Sequence, residues 1–141
     1  FNLIATHPNV FVVTSAGNKK DNNNDTDPHY PSSFDLPNVI AVASTNAAVD
    51  NIANFSCYGP TSVDFFAVGA GLPFYDRTGT PLTQLLNGTS FAAPQVAAMV
   101  AKHLHTMGNI SPTTMLNTLD YEGTPANSYD YDVKYNKIIM Y

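Results

Sequence analysis

Residues 87–94 read Asn-Gly-Thr-Ser-Phe-Ala-Ala-Pro, and the next seven, Gln-Val-Ala-Ala-Met-Val-Ala at 95–101, carry no charge. The Ala, Val and Met of this run favour helix, and the run is apolar nearly all round. That pattern predicts a helix over 91–101 buried at the centre of a domain. The Thr89–Ser90 pair ahead of it has two uses. As a cap, a hydroxyl would satisfy a free N–H at the helix start, with Pro94 near the first turn, where a missing N–H costs little. As a nucleophile, Ser90 would stand in the positive field of the helix N-terminus, beside backbone N–H groups able to hold an oxyanion.

Working outward, residues 9–16 form an apolar β-branched run that ends in the turn pair Gly17-Asn18, the pattern of a strand covered on both faces. Residues 19–37 are polar and broken by Pro28, Pro31 and Pro37, as a loop requires. Further strands are predicted at 39–43 and 63–68, and a final one over 133–141, possible as a sheet edge. The stretch 69–88 reads as a loop with a hairpin around Arg77-Thr78-Gly79. Ser111-Pro112 supplies an N-cap followed by proline at the first helical position, which predicts a helix to about Leu119 ending before Gly123. Buried strands alternating with helices give an α/β domain with a mainly parallel sheet, in which ligands gather at strand carboxyl ends and helix N-termini. Gly17-Asn18 and Thr89-Ser90 occupy those two kinds of position.

At 141 residues the chain suffices for one compact domain, residues 1–141, and its 44% hydrophobic content supplies a core. Only 12% of residues are charged, with a net charge of −5, and the one basic pair, Lys19-Lys20, lies among Asp21, Asp25 and Asp27. That balance argues against a nucleic-acid partner, which needs clustered Lys and Arg. No apolar run approaches the roughly 20 residues of a membrane span. The lone Cys57 rules out an intrachain disulfide framework and reads as structural. The chain opens on Phe1, without Met or a signal segment, and an upstream portion is expected.

Taken alone, Ser-Ala-Gly-Asn at 15–18 is ordinary turn chemistry. At the end of a buried strand, however, the Asn18 amide is also a donor for developing negative charge. Four blocks stand in order: F-V-V-T-S-A-G-N (11–18), Y-P-S-S-F-D-L-P-N-V-I-A-V-A-S (30–44), N-F-S-C-Y-G-P-T-S-V-D-F-F-A-V-G (54–69) and N-G-T-S-F-A-A-P-Q-V-A-A-M-V-A (87–101). Together they resemble the second half of a subtilisin-like serine protease over roughly residues 9–105. The resemblance implies the C-terminal portion of a subtilisin-like fold, a mainly parallel sheet flanked by helices. It implies a serine endopeptidase working by acyl transfer, with Ser90 as nucleophile. The Asn18 side chain and the Ser90 backbone N–H would form the oxyanion hole. Thr14, Ser15, Ala16 and Gly17 would line the pocket for the residue preceding the scissile bond. Peptide or protein is then the substrate, no cofactor is required, and a secreted or extracytoplasmic location is expected.

A serine nucleophile needs a base, and the base an orienting carboxylate. The family's His motif reads H-G-T-H and its Asp motif D-[ST]-G, and neither occurs here. His7 precedes Pro8, His29 precedes Tyr30, and His103 and His105 follow the serine on opposite sides of its helix. Asp76-Arg77-Thr78-Gly79 has the wrong spacing for the Asp motif. The expectation is that catalytic Asp and His belong to a companion N-terminal segment, and that this chain alone does not cleave peptides. The rival reading is a non-catalytic, protease-derived module that binds peptide or partner protein. A third has Ser-Ala-Gly-Asn and Asn-Gly-Thr-Ser as mere turns and caps of a small doubly wound domain.

Other positions depart from the family. Gln95 stands where His is frequent, Ala98 where Gly is, Val68 where Pro is, and Phe91 where Met is; residues 120–141 match the family's Gly-rich ending poorly. Asp64, with carbonyls from the 33–38 loop, would suit a weak calcium or monovalent cation site, as in some relatives; the simpler reading is an ordinary exposed carboxylate. Asp21, Asp25 and Asp27 lack calcium-loop spacing. Asn24, Asn54, Asn87 and Asn109 each open a glycosylation triplet, and a sugar on Asn87 would obstruct the site.

Overall fold

The structure is a computed structural model that describes residues 2–126, 129 and 132–140. After a short helix α1 (Asn2–Ala5), the three foreseen apolar runs lie side by side as β1 (Val12–Ser15), β2 (Val39–Thr45) and β3 (Phe65–Val68). All three are parallel, Val12 opposite Val39 and Val42 opposite Phe65, so their carboxyl ends share one edge of the sheet. Every residue of β2 is buried, because both faces of the sheet are covered. Ile40 and Val42 pack with Phe65 and Ala67 against one layer, while Ala41 and Ala43 pack with Phe66, Val63 and Cys57 on the other side.

The first layer is helical. Helix α2 (Thr89–Met107) lays Ala92, Ala93, Val96, Met99 and Val100 on the sheet, and helix α3 (Pro112–Glu122) adds Met115, Leu116 and Leu119. α2 runs six residues beyond the predicted end, to Met107, and its last turns expose Lys102, His105 and Thr106. It therefore has a polar face that the 91–101 window does not contain, and even Pro94 and Ala101 are exposed. The start of α3 is as predicted: Ser111 Oγ accepts the Thr114 N–H at 3.1 Å, with Pro112 opening the helix. Ser111→Ala is expected to lower the unfolding free energy by about 1 kcal/mol, read from urea titration of the folded protein.

The hairpin expected around Arg77-Thr78-Gly79 is present as an antiparallel pair, β4 (Leu72–Tyr75) and β5 (Pro81–Leu86), with a register shift between Pro73 and Tyr75. Asp76 makes its turn: its carboxylate accepts from Thr78 N, Thr78 Oγ1 and Thr80 N, with Gly79 at φ +83°. The tail forms two short strands, β6 (Thr124–Pro125) and β7 (Lys137–Ile138), giving the order β1-β2-β3-β7-β6. The tail strand predicted over 133–141 is thus two residues long and interior, parallel to β3 through Phe66 and Ile138; Tyr141 lies outside the described residues.

Candidate active site

The loops that leave β1 and β3 and the start of α2 meet at the carboxyl edge of the sheet. Gly88 N–H donates to Gly69 O at 2.7 Å, which ties the helix start to the end of β3. Across the sheet, Asn18 Oδ1 accepts both the Thr89 N–H and the Thr89 hydroxyl, each at 2.9 Å. Thr89 Oγ1 in turn accepts the Gly17 N–H at 3.3 Å, and the threonine is fully buried. With Oδ1 so occupied, the NH₂ of Asn18 faces away from Thr89. A Cβ built on Gly88 would lie 3.1 Å from Ser90 Oγ and 3.6 Å from Asn18 Nδ2, so hydroxyl and amide flank one small volume.

Ser90 is exposed and is not a cap. The N-cap of α2 is Gly88, no side chain caps the helix, and Ser90 falls within its first turn. The capping reading of the sequence is therefore corrected: the Thr89 hydroxyl is spent on Gly17 and Asn18, and Ser90 Oγ has no hydrogen-bond partner among the described residues. A helix leaves its first N–H groups without intrahelical acceptors. Here Thr89 N–H goes to Asn18 and Phe91 N–H to Gly88 O, while the Ser90 N–H has no acceptor among the described residues. Pro94 is the sixth residue of the helix, deeper than expected, and the carbonyl it deprives of a donor is that of Ser90 itself. Gln95 anchors this turn by donating to Phe91 O and Val68 O.

Thr14 and Ser15 lie half-buried on β1, whose outer edge is unpaired among the described residues. Ala16 is fully buried, with its methyl in the cluster behind the sheet, and the Ala16 and Gly17 carbonyls are taken by Asn24 Nδ2 and Cys57 N. Gly17 has φ +110°, and a side chain there would strike Cys57 Sγ at 3.0 Å and the His29 ring at 3.1 Å, so only glycine fits. Burial raises the Cys57 thiol above its ordinary value, in keeping with a packing role. Asn24 is buried with its amide bonded to Ala16 O, so it is no acceptor for a sugar.

This arrangement joins a hydroxyl, a carboxamide and a free backbone N–H at a helix start, and the sequence analysis missed the residue that unites them, Thr89. The model of the subtilase family matches residues 2–126. The chain belongs to the subtilase family. It is 32% identical over 78% of its length to a cuticle-degrading serine protease of Arthrobotrys oligospora, and 31% identical over 86% to an extracellular serine proteinase of a Thermus species. Among solved structures, a cold-adapted subtilisin-like serine proteinase is similar over 93% of the chain at 25% identity, with a TM-score of 0.74. MycP1 of the ESX-1 type VII secretion system shares the fold at 23% identity, TM-score 0.74. The subtilase chain spans 25% and 28% of the Arthrobotrys and Thermus proteins and 45% of the cold-adapted enzyme.

No histidine or carboxylate bonds Ser90 among the described residues. His7 bonds Leu3 O, and His105 is exposed on α2. His103 is buried with Nε2 3.1 Å from Glu122 Oε2, close enough for an ion pair but misaligned for a hydrogen bond.

Asp64 is not the exposed carboxylate of the simpler reading. It is buried, its Oδ2 accepts the Ala41 N–H at 2.8 Å, and the Lys134 ammonium lies 3.9 Å from its Oδ1. Among the described residues no group of three His, Cys, Asp or Glu side chains gathers at Asp64, and the Lys134 ammonium sets a positive charge beside it. Burial pushes the Asp64 carboxyl up to about 6 from 3.8 despite the Ala41 bond and Lys134. Because the folded value lies above the unfolded one, the folded state keeps a proton that the unfolded chain has lost, and stability falls as pH rises from about 4 to about 6. Asp64→Asn is expected to recover about 1–3 kcal/mol at pH 7.5 and nothing at pH 3.5, read from urea unfolding at both.

Proposed function

We propose that this subtilase is the serine-bearing portion of an endopeptidase that hydrolyses peptide bonds by acyl transfer. The observation that carries the reading is the approach of the Ser90 hydroxyl and the Asn18 amide to one volume at the start of α2, where the Ser90 N–H has no acceptor among the described residues. Ser90 attacks the scissile carbonyl, the tetrahedral oxygen takes hydrogen bonds from Asn18 Nδ2 and the Ser90 N–H, and water releases the acyl group. Thr14 to Gly17, just ahead of Asn18, line the pocket for the residue preceding the scissile bond in this reading. The proton from Ser90 goes to a histidine held by an aspartate, both supplied by a companion N-terminal segment. The outer edge of β1, unpaired among the described residues, supports that partner, since an unpaired strand edge is a template for a further strand.

The reaction needs no cofactor, and secretion is proposed alongside it. No helix of the described residues is long and apolar enough to cross a membrane. The deciding experiment mixes the chain with an Asp- and His-bearing segment and treats both chain and complex with a fluorophosphonate. Intact-protein mass spectrometry should place the adduct on Ser90 in the complex and find none on the chain alone. A 1:1 folded complex that never labels would favour the rival, a peptide-binding module without catalysis.

A further inference from the structure

Ser90 stands in a helix turn that its own backbone holds weakly. Pro94 has no N–H, so the Ser90 carbonyl lacks the intrahelical donor four residues on. Fixing Ser90 in space therefore falls to the residues on either side of it. Thr89 is tied towards β1, because its N–H and hydroxyl both reach Asn18 Oδ1. Phe91 is tied towards β3, and that tie is the side chain of Gln95.

The Gln95 NH₂ carries two protons, and each finds a main-chain carbonyl. One goes to Phe91 O at 2.9 Å, inside the serine turn; the other goes to Val68 O, at the last residue of β3. Val68 O needs such a partner. Carbonyls two residues apart on a strand face the same edge. Phe66 O accepts the Ile139 N–H, so Val68 O faces the β7 edge too, yet the pairing of β3 with β7 stops at Phe66 and Ile138 among the described residues. Gln95 thus supplies from α2 the donor that the sheet does not. The turn and the strand end are also in close contact here. Gly88 N–H donates to Gly69 O at 2.7 Å, and a Cβ on Gly69 would lie 2.6 Å from Gly88 O.

We propose that Gln95 is a positioning residue for Ser90, the β3 half of a two-sided clamp whose β1 half is Thr89 with Asn18. The inference rests on the endopeptidase reading of Ser90. Gln95 gives no group to the substrate or the reacting atoms; it acts through Phe91. Together the two halves set where the Ser90 hydroxyl and N–H stand relative to the Asn18 amide. The β3 half needs a forked donor, since two carbonyls must be served at once. A neutral imidazole carries one N–H and serves one of them, and methionine, of similar length, serves neither. With that half released the turn can shift, and a displacement of about 1 Å in a reacting group costs up to about 10² in rate.

The test uses the full-length protein with its Asp- and His-bearing segment. Fluorophosphonate labelling carried to completion counts the active sites, and kcat and KM for one peptide substrate are expressed per labelled Ser90. Gln95→Met should lower kcat per labelled site by about 10- to 100-fold with KM little changed, and slow the labelling rate by a similar factor. Gln95→His, which keeps one N–H, should fall between the Met variant and the parent. Where the Met variant folds poorly, Gln95→Glu gives the same comparison, because an ionised carboxylate donates to neither carbonyl. A residue that only stabilises the fold would lower the urea midpoint and the labelled fraction and leave kcat per labelled site at the parent value. That result overturns the proposal. So does a His variant no faster than the Met variant, since the loss would then follow packing and not the N–H donors. A parent complex that never labels Ser90 overturns the endopeptidase reading, and this inference with it.

Discussion

Ser90→Ala, in the protein carrying its Asp- and His-bearing segment, is expected to lower kcat by about 10⁶ and to abolish fluorophosphonate labelling. That magnitude is the one found on removing the nucleophile of a subtilisin and is not calculated from the present geometry. What the geometry does supply is a hydroxyl that is exposed, without a hydrogen-bond partner among the described residues and free of any capping duty. Its loss should therefore leave folding unchanged, and the urea midpoint of the variant should match the parent's. A large drop in stability would mean that Ser90 is structural. Retained turnover would mean that another residue is the nucleophile. Either result removes the protease reading.

Asn18→Ala is expected to keep labelling at Ser90 while slowing turnover by about 10²–10³, again a subtilisin magnitude for one oxyanion donor. Thr89 makes the expectation specific to this chain. Its N–H and hydroxyl hold Asn18 Oδ1, which turns the donor end of the amide toward the site. Thr89→Val keeps shape and backbone bond but loses the hydroxyl, and should cost about tenfold in kcat with KM little changed, the worth of one buried hydrogen bond. If Thr89 acts through Asn18, the double variant should be no slower than Asn18→Ala alone. Multiplicative losses would show that Thr89 acts by some other route, and rates per labelled Ser90 correct for any unfolded fraction.

The amino-acid sequence alone determined the features that local chemistry controls. The β-branched runs specified three parallel strands, Ser111-Pro112 specified the start of α3, and the ordered blocks ending in Asn-Gly-Thr-Ser specified the family. Short-range propensity and capping act over a few residues, so they are legible there. The tail was legible only as a strand within 133–141, where β7 lies; its length and place were not, because β6 and β7 are two residues each and exist only through pairing with one another and with β3. Asp64 read as exposed because nothing near it in the chain shows that the Ala41 N–H and Lys134, 23 and 70 positions away, enclose its carboxylate. Thr89 looked like a cap for the same reason. A cap needs only the next turn of its own helix, whereas the bond from Thr89 to Asn18 spans 71 residues and forms only when β1 and α2 reach the same edge of the sheet. The choice between cap and positioning group was therefore made by packing, since the helix start is buried against β1, where Gly17 and Asn18 offer the Thr89 hydroxyl better-placed partners than its own helix does.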